Sequence, residues 1–314
     1  MIWNTIKNKC LLGLGVAFAL GACSQPEQPS SDLNSRKVKV GEENQERRPA
    51  SRPIEAPSSE QGLKKWGLAA ENLYYGIYLN GSKMGWMNSH LSATDTTVEA
   101  FTKMEAKITG MGTVSGLTLE EKRSYRSSDG VMTAIRFSQV SATGSVLVEG
   151  KRVGEQLELS VTAGEVTTKK TVPAAETLED LRNLHQFLTK PQMGKTVTIK
   201  RFDPSALQLL TIEHSILSIT TKVFGGVEVD TINLESKYPQ MGLSEQSMYD
   251  SSGTLLETKV GGFFVARLEP KQLAKELDYE QDLLISAVVK TPSPISRPEK
   301  LSRLEVDFEG FEDF

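Results

Sequence analysis

The feature that most constrains the fold of this chain is a run of alternating residues that ends in a tight turn. Residues 73–79 alternate between two sets, and the first set comprises Leu73, Tyr75, Ile77 and Leu79. This is the period of a β-strand, in which successive side chains point to opposite faces. Asn80-Gly81 follows at once, and these residue types readily take the positive φ angles of a two-residue hairpin turn. The pattern predicts a hairpin over 73–86 whose first set faces the core.

The same chemistry recurs along the chain and predicts a mainly β protein. Short alternating segments are separated by turns rich in Gly, Ser and Asp, and the connections are too short for helical crossovers, so the strands are expected to be antiparallel. Further strands are predicted at 101–108, 117–125, 131–140, 146–148, 157–161, 197–201, 207–212, 216–224, 227–234, 246–249, 254–260 and 283–289. We expect a large antiparallel meander or curved sheet, or a β-sandwich, over residues 66–290.

Two short helices interrupt this pattern. Leucines at helical spacing share one face of the segment 177–190, with Thr177 and Asp180 at its start in a capping arrangement and Pro191 after its end. A second, shorter amphipathic helix is predicted around Leu273, Ala274 and Leu277. The fold class is therefore mainly β with a minor helical part.

The first 23 residues determine where the protein goes. Lys7 and Lys9 precede an apolar run over 10–20 that is too short to cross a bilayer, which is typical of an export signal. Leu20-Gly21-Ala22-Cys23 resembles the lipobox of bacterial lipoproteins. The resemblance implies that residues 1–22 are removed and that Cys23 is acylated and becomes the N-terminus. The alternative is an ordinary secretory signal that contains a cysteine.

Two segments outside the β domain are predicted to lack a packed core. Residues 23–65 contain no aromatic side chain and are rich in Ser, Pro, Gln, Glu and Arg, so we expect a disordered tether with an r.m.s. span of about 35 Å. Residues 291–314 begin with a Pro-rich linker and end in alternating apolar and acidic residues. They are expected to form a linker and an acidic tail.

Composition excludes several functions. Removal of Lys7 and Lys9 with the signal leaves 34 basic against 40 acidic side chains, a formal charge of −6, which argues against a nucleic-acid partner. Cys10 leaves with the signal and Cys23 would carry lipid, so the mature fold has no thiol for catalysis, disulfides or metal. The three histidines, His90, His185 and His214, show no metal-ligand spacing. We therefore expect neither a metal nor a cofactor.

A second resemblance concerns the β domain. Tyr75-Gly-Ile-Tyr-Leu-Asn-Gly-Ser-Lys-Met-Gly85-Trp resembles the opening hairpin of the β-rich domain that precedes the transglutaminase-like domain in exported bacterial proteins. Leu255-Leu-Glu-Thr-Lys-Val, after Tyr249-Asp-Ser-Ser-Gly253, is similar to its closing hairpin, and residues 294–310 are similar to the stretch that leads into the catalytic module. The module itself, with its Cys-His-Asp constellation, is missing, so the resemblance implies an accessory domain without catalytic residues.

The candidate contact surface is the outer face of the first hairpin. Tyr74, Tyr78 and Trp86 could line a ligand surface or pack as cross-strand pairs. We predict a non-enzymatic lipoprotein of the cell envelope that binds or scaffolds an envelope protein, polymer or lipid. The alternatives are an accessory subunit of a separately encoded transglutaminase-like protease or peptidase, and a hydrolase with paired carboxylates in a cleft. In a Gram-negative host, Ser24 after the cysteine favours the outer membrane, facing the periplasm.

Overall fold

The computed structural model describes residues 60–110, 113–224, 226–261 and 264–277. Its strands are β1 Glu71–Leu79, β2 Ser82–Ala93, β3 Thr97–Gly110, β4 Thr113–Arg126, β5 Met132–Ser141, β6 Gly144–Val153, β7 Gln156–Ala163, β8 Val166–Pro173, β9 Thr196–Asp203, β10 Gln208–Phe224, β11 Val227–Tyr238, β12 Leu243–Asp250, β13 Leu255–Val260 and β14 Phe264–Glu269. Its helices are α1 Glu60–Lys64, α2 Leu178–Thr189 and α3 Lys271–Lys275.

The strands form one sheet. Its order is β8-β7-β6-β5-β4-β3-β2-β1-β14-β13-β12-β11-β10-β9, and β1 pairs antiparallel with β14. The predicted mainly β, antiparallel class is confirmed, as one curved sheet with a few short helices. The sheet curls so that side chains of β4 reach β9, at the far end of the strand order, and its inner face holds the hydrophobic core.

The first hairpin has the predicted turn and facing. Asn80 and Gly81 have φ angles of 48° and 83°. Tyr75 and Ile77 are fully buried on the inner face, and the two leucines of their set, Leu73 and Leu79, are partly buried against the core. The turn sets the register and the alternation then decides which side chains are buried.

Helix α2 also matches its prediction, apart from the cap. Its buried residues are Leu178, Leu181, Leu184 and Leu188. Thr177 is the N-cap residue, but its hydroxyl donates to the Asp180 carboxylate over 3.0 Å and accepts no main-chain N–H. The leucine face therefore anchors this helix to the core.

The predicted boundary between tether and fold needs a correction. Helix α1 starts at Glu60, and Leu63, assigned to the disordered tether, is only 1% exposed. The Trp66 indole N–H donates to the Ser127 carbonyl over 3.1 Å, which ties this segment to the turn after β4. The folded part thus begins before residue 66, because Leu63 is part of the hydrophobic core.

Two strands were not predicted from the sequence. Every residue of β8 except Val172 is exposed, so the strand lacks the alternation that marks a half-buried strand. Strand β14 lies between β1 and β13, and this long-range pairing defines it. Cys23 and the predicted segments 283–289 and 291–314 lie outside the described residues.

Candidate functional site

Two of the predicted contact residues meet on the outer face of β1 and β2. The ring centroids of Tyr74 and Trp86 are 6.4 Å apart, with an angle of 35° between the ring planes. Trp86 is only 8% exposed, so something covers it. We call Tyr74, Tyr78 and Trp86 together the aromatic surface.

The cover is helix α3, which lies across β1 and β2. The Lys275 ammonium lies 4.4 Å from the Trp86 ring centroid, and the Lys271 ammonium lies 5.5 Å from that of Tyr74. Both distances are within the range of a cation–π interaction. The two lysines are four residues apart, a spacing that places them on the same face of a helix.

Two further cationic side chains lie near the ring of Tyr78. The Lys83 ammonium and the Arg267 guanidinium each lie 5.7 Å from its ring centroid. Its hydroxyl donates to the Glu269 carboxylate, which also accepts a hydrogen bond from Lys83 over 2.6 Å. Burial, together with this bond to Glu269, raises the pKa of Tyr78 to about 12.

Glycine at position 76 makes room for that carboxylate. A Cβ at Gly76 would lie 2.6 Å from a carboxylate oxygen of Glu269, far inside contact distance. The Glu269 side chain is thereby held over the centre of β1 at 6% exposure, between the rings of Tyr74 and Tyr78. Any larger residue here would displace the acid.

A second carboxylate flanks the aromatic surface. Glu105 on β3 is the register partner of Trp86, just as Glu269 on β14 is the register partner of Tyr74. Cross-strand partners lie on the same face of a sheet. The rings therefore lie between two acids, and each acid is paired with a lysine: Glu269 with Lys83 over 2.6 Å and Glu105 with Lys103 over 3.0 Å.

Sequence reasoning predicted the three rings but missed their partners. The spacing of Lys271 and Lys275 on a predicted short helix could have indicated that the two charges share one face. It does not indicate which residues that face contacts. Arg267 and Glu269 were missed because β14 was not predicted.

A buried ion cluster lies on the inner face of the sheet. Arg123 pairs with Glu121 over 2.6 Å and also with Glu176, and Arg201 pairs with Glu121 over 3.1 Å. The Tyr125 hydroxyl donates to Glu176 over 2.6 Å. These four charged side chains are at most 5% exposed.

The cluster contains two carboxylates, as the predicted hydrolase site would, but both are buried. Burial alone would raise the pKa of Glu121, yet Arg123 and Arg201 outweigh it and hold that pKa below its ordinary value. Burial likewise raises the pKa of Tyr125. Glu121 is therefore an ionised carboxylate that is closed off from solvent and paired with two arginines.

A second polar group lies around Glu245 on the same face. Its carboxylate accepts hydrogen bonds from Tyr238 over 3.0 Å, from Ser247 over 2.7 Å and from Thr258 over 2.6 Å. Nearby, Nδ1 of the buried His214 lies 2.8 Å from the Ser236 hydroxyl. Within the described ranges, no three His, Cys, Asp or Glu residues are grouped as metal ligands would be.

One open depression of about 470 Å³ lies beside helix α1. Its lining comprises Gly62, Lys65, Asp95, Thr96, Arg126, Ser127 and Ser128. Its charged groups are of both signs, and Lys65 and Arg126 already bond to Ser128 and Asp129.

In the part of the chain that the structure describes, no helix is long and apolar enough to cross a membrane.

Similarity to known proteins was found among solved structures. No protein-family model and no curated protein matches the chain. The crystal structure of a β-barrel-like protein of a domain of unknown function, DUF1849, from Brucella abortus is similar with a TM-score of 0.49 and 8% sequence identity. The match covers 64% of this chain and 95% of that one.

Proposed function

We propose that this protein is a lipid-anchored, non-enzymatic binding module of the cell envelope that captures a basic segment of a partner protein at its aromatic surface. One observation carries the proposal. Each of the three predicted contact rings already has a cationic side chain within 6 Å of its centroid. Aromatic faces with acids beside them are suited to ammonium and guanidinium groups.

The same geometry argues against an anionic polymer or anionic lipid as the ligand. Lys271 and Lys275 direct their ammonium groups at Tyr74 and Trp86 and are not arranged as a free basic patch. Beneath them, the cations Lys83 and Lys103 are engaged by Glu269 and Glu105 and are not free to bind an anion. Among an envelope protein, a polymer and a lipid, a basic segment of a protein fits these rings best.

The anchor rests on the lipobox resemblance. Acylation of Cys23 with more than one chain would hold the protein stably at a membrane, since a single chain binds only reversibly. A tether up to helix α1 would then keep the aromatic surface clear of the lipid headgroups. In a Gram-negative host we propose that the outer membrane holds the anchor, with the domain in the periplasm.

A subunit of a separately encoded transglutaminase-like protease remains the alternative from the enzyme class. It would use the same surface, because an accessory domain must also bind its catalytic partner. The hydrolase alternative loses support, since Glu121 and Glu176 are paired with arginines and closed to substrate.

The test is direct binding of a basic peptide. The mature chain with Cys23→Ser is further changed at Lys271→Gln and Lys275→Gln, which removes these cations from Tyr74 and Trp86. This vacated chain is titrated calorimetrically with acetyl-KQLAKQL-amide. We expect binding that Tyr74→Leu or Trp86→Leu weakens about tenfold or more, a loss of about 1.4 kcal/mol. Phe101→Leu, at another outward-facing aromatic residue, is the matched control.

Two results would refute the proposal. Equal or tighter binding of the peptide with glutamate in place of both lysines would show that the surface does not select cations. Unchanged affinity in both ring variants would place the binding site elsewhere.

A further inference from the structure

Helix α3 is too short to be stable by itself. It has five residues, and isolated helices of that length do not form in water. No side chain caps its N-terminus at Pro270. Its position therefore depends on what it contacts across the sheet.

Those contacts are mostly cationic. Ala274 is fully buried, but Leu273, the large apolar residue of the helix, is 49% exposed. The other contacts are Lys271 and Lys275 over the rings, and a hydrogen bond from the Lys83 ammonium to the Leu273 carbonyl. Departure of the helix would expose Trp86 and Ala274 but would leave the core on the inner face of the sheet closed, since neither residue belongs to that core.

The aromatic surface is thus occupied in this structure by a segment of the kind that we assign to its partner. Two lysines at helical spacing reach Tyr74 and Trp86, and the acids Glu105 and Glu269 flank those rings. An external segment with the same spacing would meet the same rings and the same acids. The internal and external segments would compete for one surface.

We propose that helix α3 is an internal competitor, displaced when a basic segment of the partner binds. The proposal rests on the proposed function, because it assigns a regulator to the same surface. Displacement exchanges the lysines of α3 for those of the partner over the rings. The affinity for a partner is then set by the difference between the binding free energies of the partner segment and of α3.

The experiment compares the peptide affinity of the chain that keeps Lys271 and Lys275 with that of the chain that lacks them. Acetyl-KQLAKQL-amide is titrated into the mature Cys23→Ser chain and into the same chain with Lys271→Gln and Lys275→Gln. We expect the vacated chain to bind about tenfold more tightly, because each lysine contributes a modest cation–π term. The matched control, Lys169→Gln with Lys195→Gln, removes two exposed lysines away from the rings and should bind as the parent does.

A fluorescence signal reports the exchange directly. Trp3 lies in the signal, so Trp66→Phe leaves Trp86 as the single indole of the mature chain. Removing the two lysines should change its emission, and the peptide should reverse that change. Equal affinities for the parent and vacated chains would overturn the competitor while leaving the proposed function standing, whereas a vacated chain that binds no peptide would overturn both.

Discussion

The guanidinium of Arg123 donates a hydrogen bond to the main-chain carbonyl of Phe202 over 2.9 Å, so a side chain on β4 occupies the place of a neighbouring strand beside β9. Glu176 completes the pairing, because its carboxylate accepts the Phe202 N–H over 2.9 Å. Strand β9 is an edge of the sheet, and edge strands expose unpaired main-chain groups. Here an arginine and a glutamate satisfy both groups and tie the edge strand β9 to β4 and to the segment before α2.

Removing Arg123 should therefore destabilise the fold strongly. Arg123→Met leaves Glu121 and Glu176 buried with one arginine between them, and breaking such a buried pair costs about 3–5 kcal/mol. Urea denaturation measures the change. The control is Arg136→Met, whose partner Glu149 lies 3.3 Å away at the surface, and which should cost less than about 1 kcal/mol. Similar losses for both variants would refute the structural role of the cluster.

The two faces of β1 should respond differently to truncation. Tyr75 is fully buried, and its hydroxyl donates to the Leu255 carbonyl over 3.2 Å, so Tyr75→Ala should cost on the order of 2–5 kcal/mol. Ile77→Ala should fall in the same range. Tyr78→Ala, on the half-buried outer face, should cost clearly less. A Tyr78 variant as unstable as the Tyr75 variant would make the aromatic surface part of the core.

Alkali should unfold the protein through its tyrosines. Burial and the bond to Glu269 raise the pKa of Tyr78 to about 12, and burial raises the pKa of Tyr75 and Tyr238 well above their ordinary value. The unfolded chain loses these protons near pH 10 and the folded chain only later, so stability is intact below about pH 10 and falls as the pH rises above it. Denaturation midpoints from pH 8 to 12 check this. Tyr78→Phe should make the decline shallower.

The lipid anchor makes a prediction that needs no structure. Cys23 should be the mature N-terminus and carry acyl mass in the N-terminal peptide, and Cys23→Ser should move the protein from the membrane fraction to the soluble fraction. Membrane retention of the Cys23→Ser protein would refute the anchor.

The start of the folded part can be located by truncation. A chain that begins at residue 60 should melt as the mature chain does, and limited proteolysis of the mature chain should cut before that point. Leu63→Ala should cost about 2–5 kcal/mol, because Leu63 is buried against the core. Removal of Leu63 without loss of stability would restore the boundary at residue 66.

The sequence alone determined whatever depends on neighbours along the chain. Asn80-Gly81 shows where β1 turns, and the two-residue period shows that Tyr75 and Tyr78 point to opposite faces. The leucine spacing shows the buried side of α2. These features are local, because φ preferences and side-chain periods act over a few residues.

The tertiary structure decided what depends on residues far apart in the chain. Strand β8 carries no buried stripe and exists because β7 pairs with it. No spacing in the sequence predicts that Arg123 contacts Phe202 or that Lys275 contacts Trp86. The first contact depends on how the sheet curls, and the second depends on where β14 places the helix that follows it. Side-chain ion pairs and cation–π contacts need only proximity in space, so the sequence shows the groups and the fold alone selects their partners.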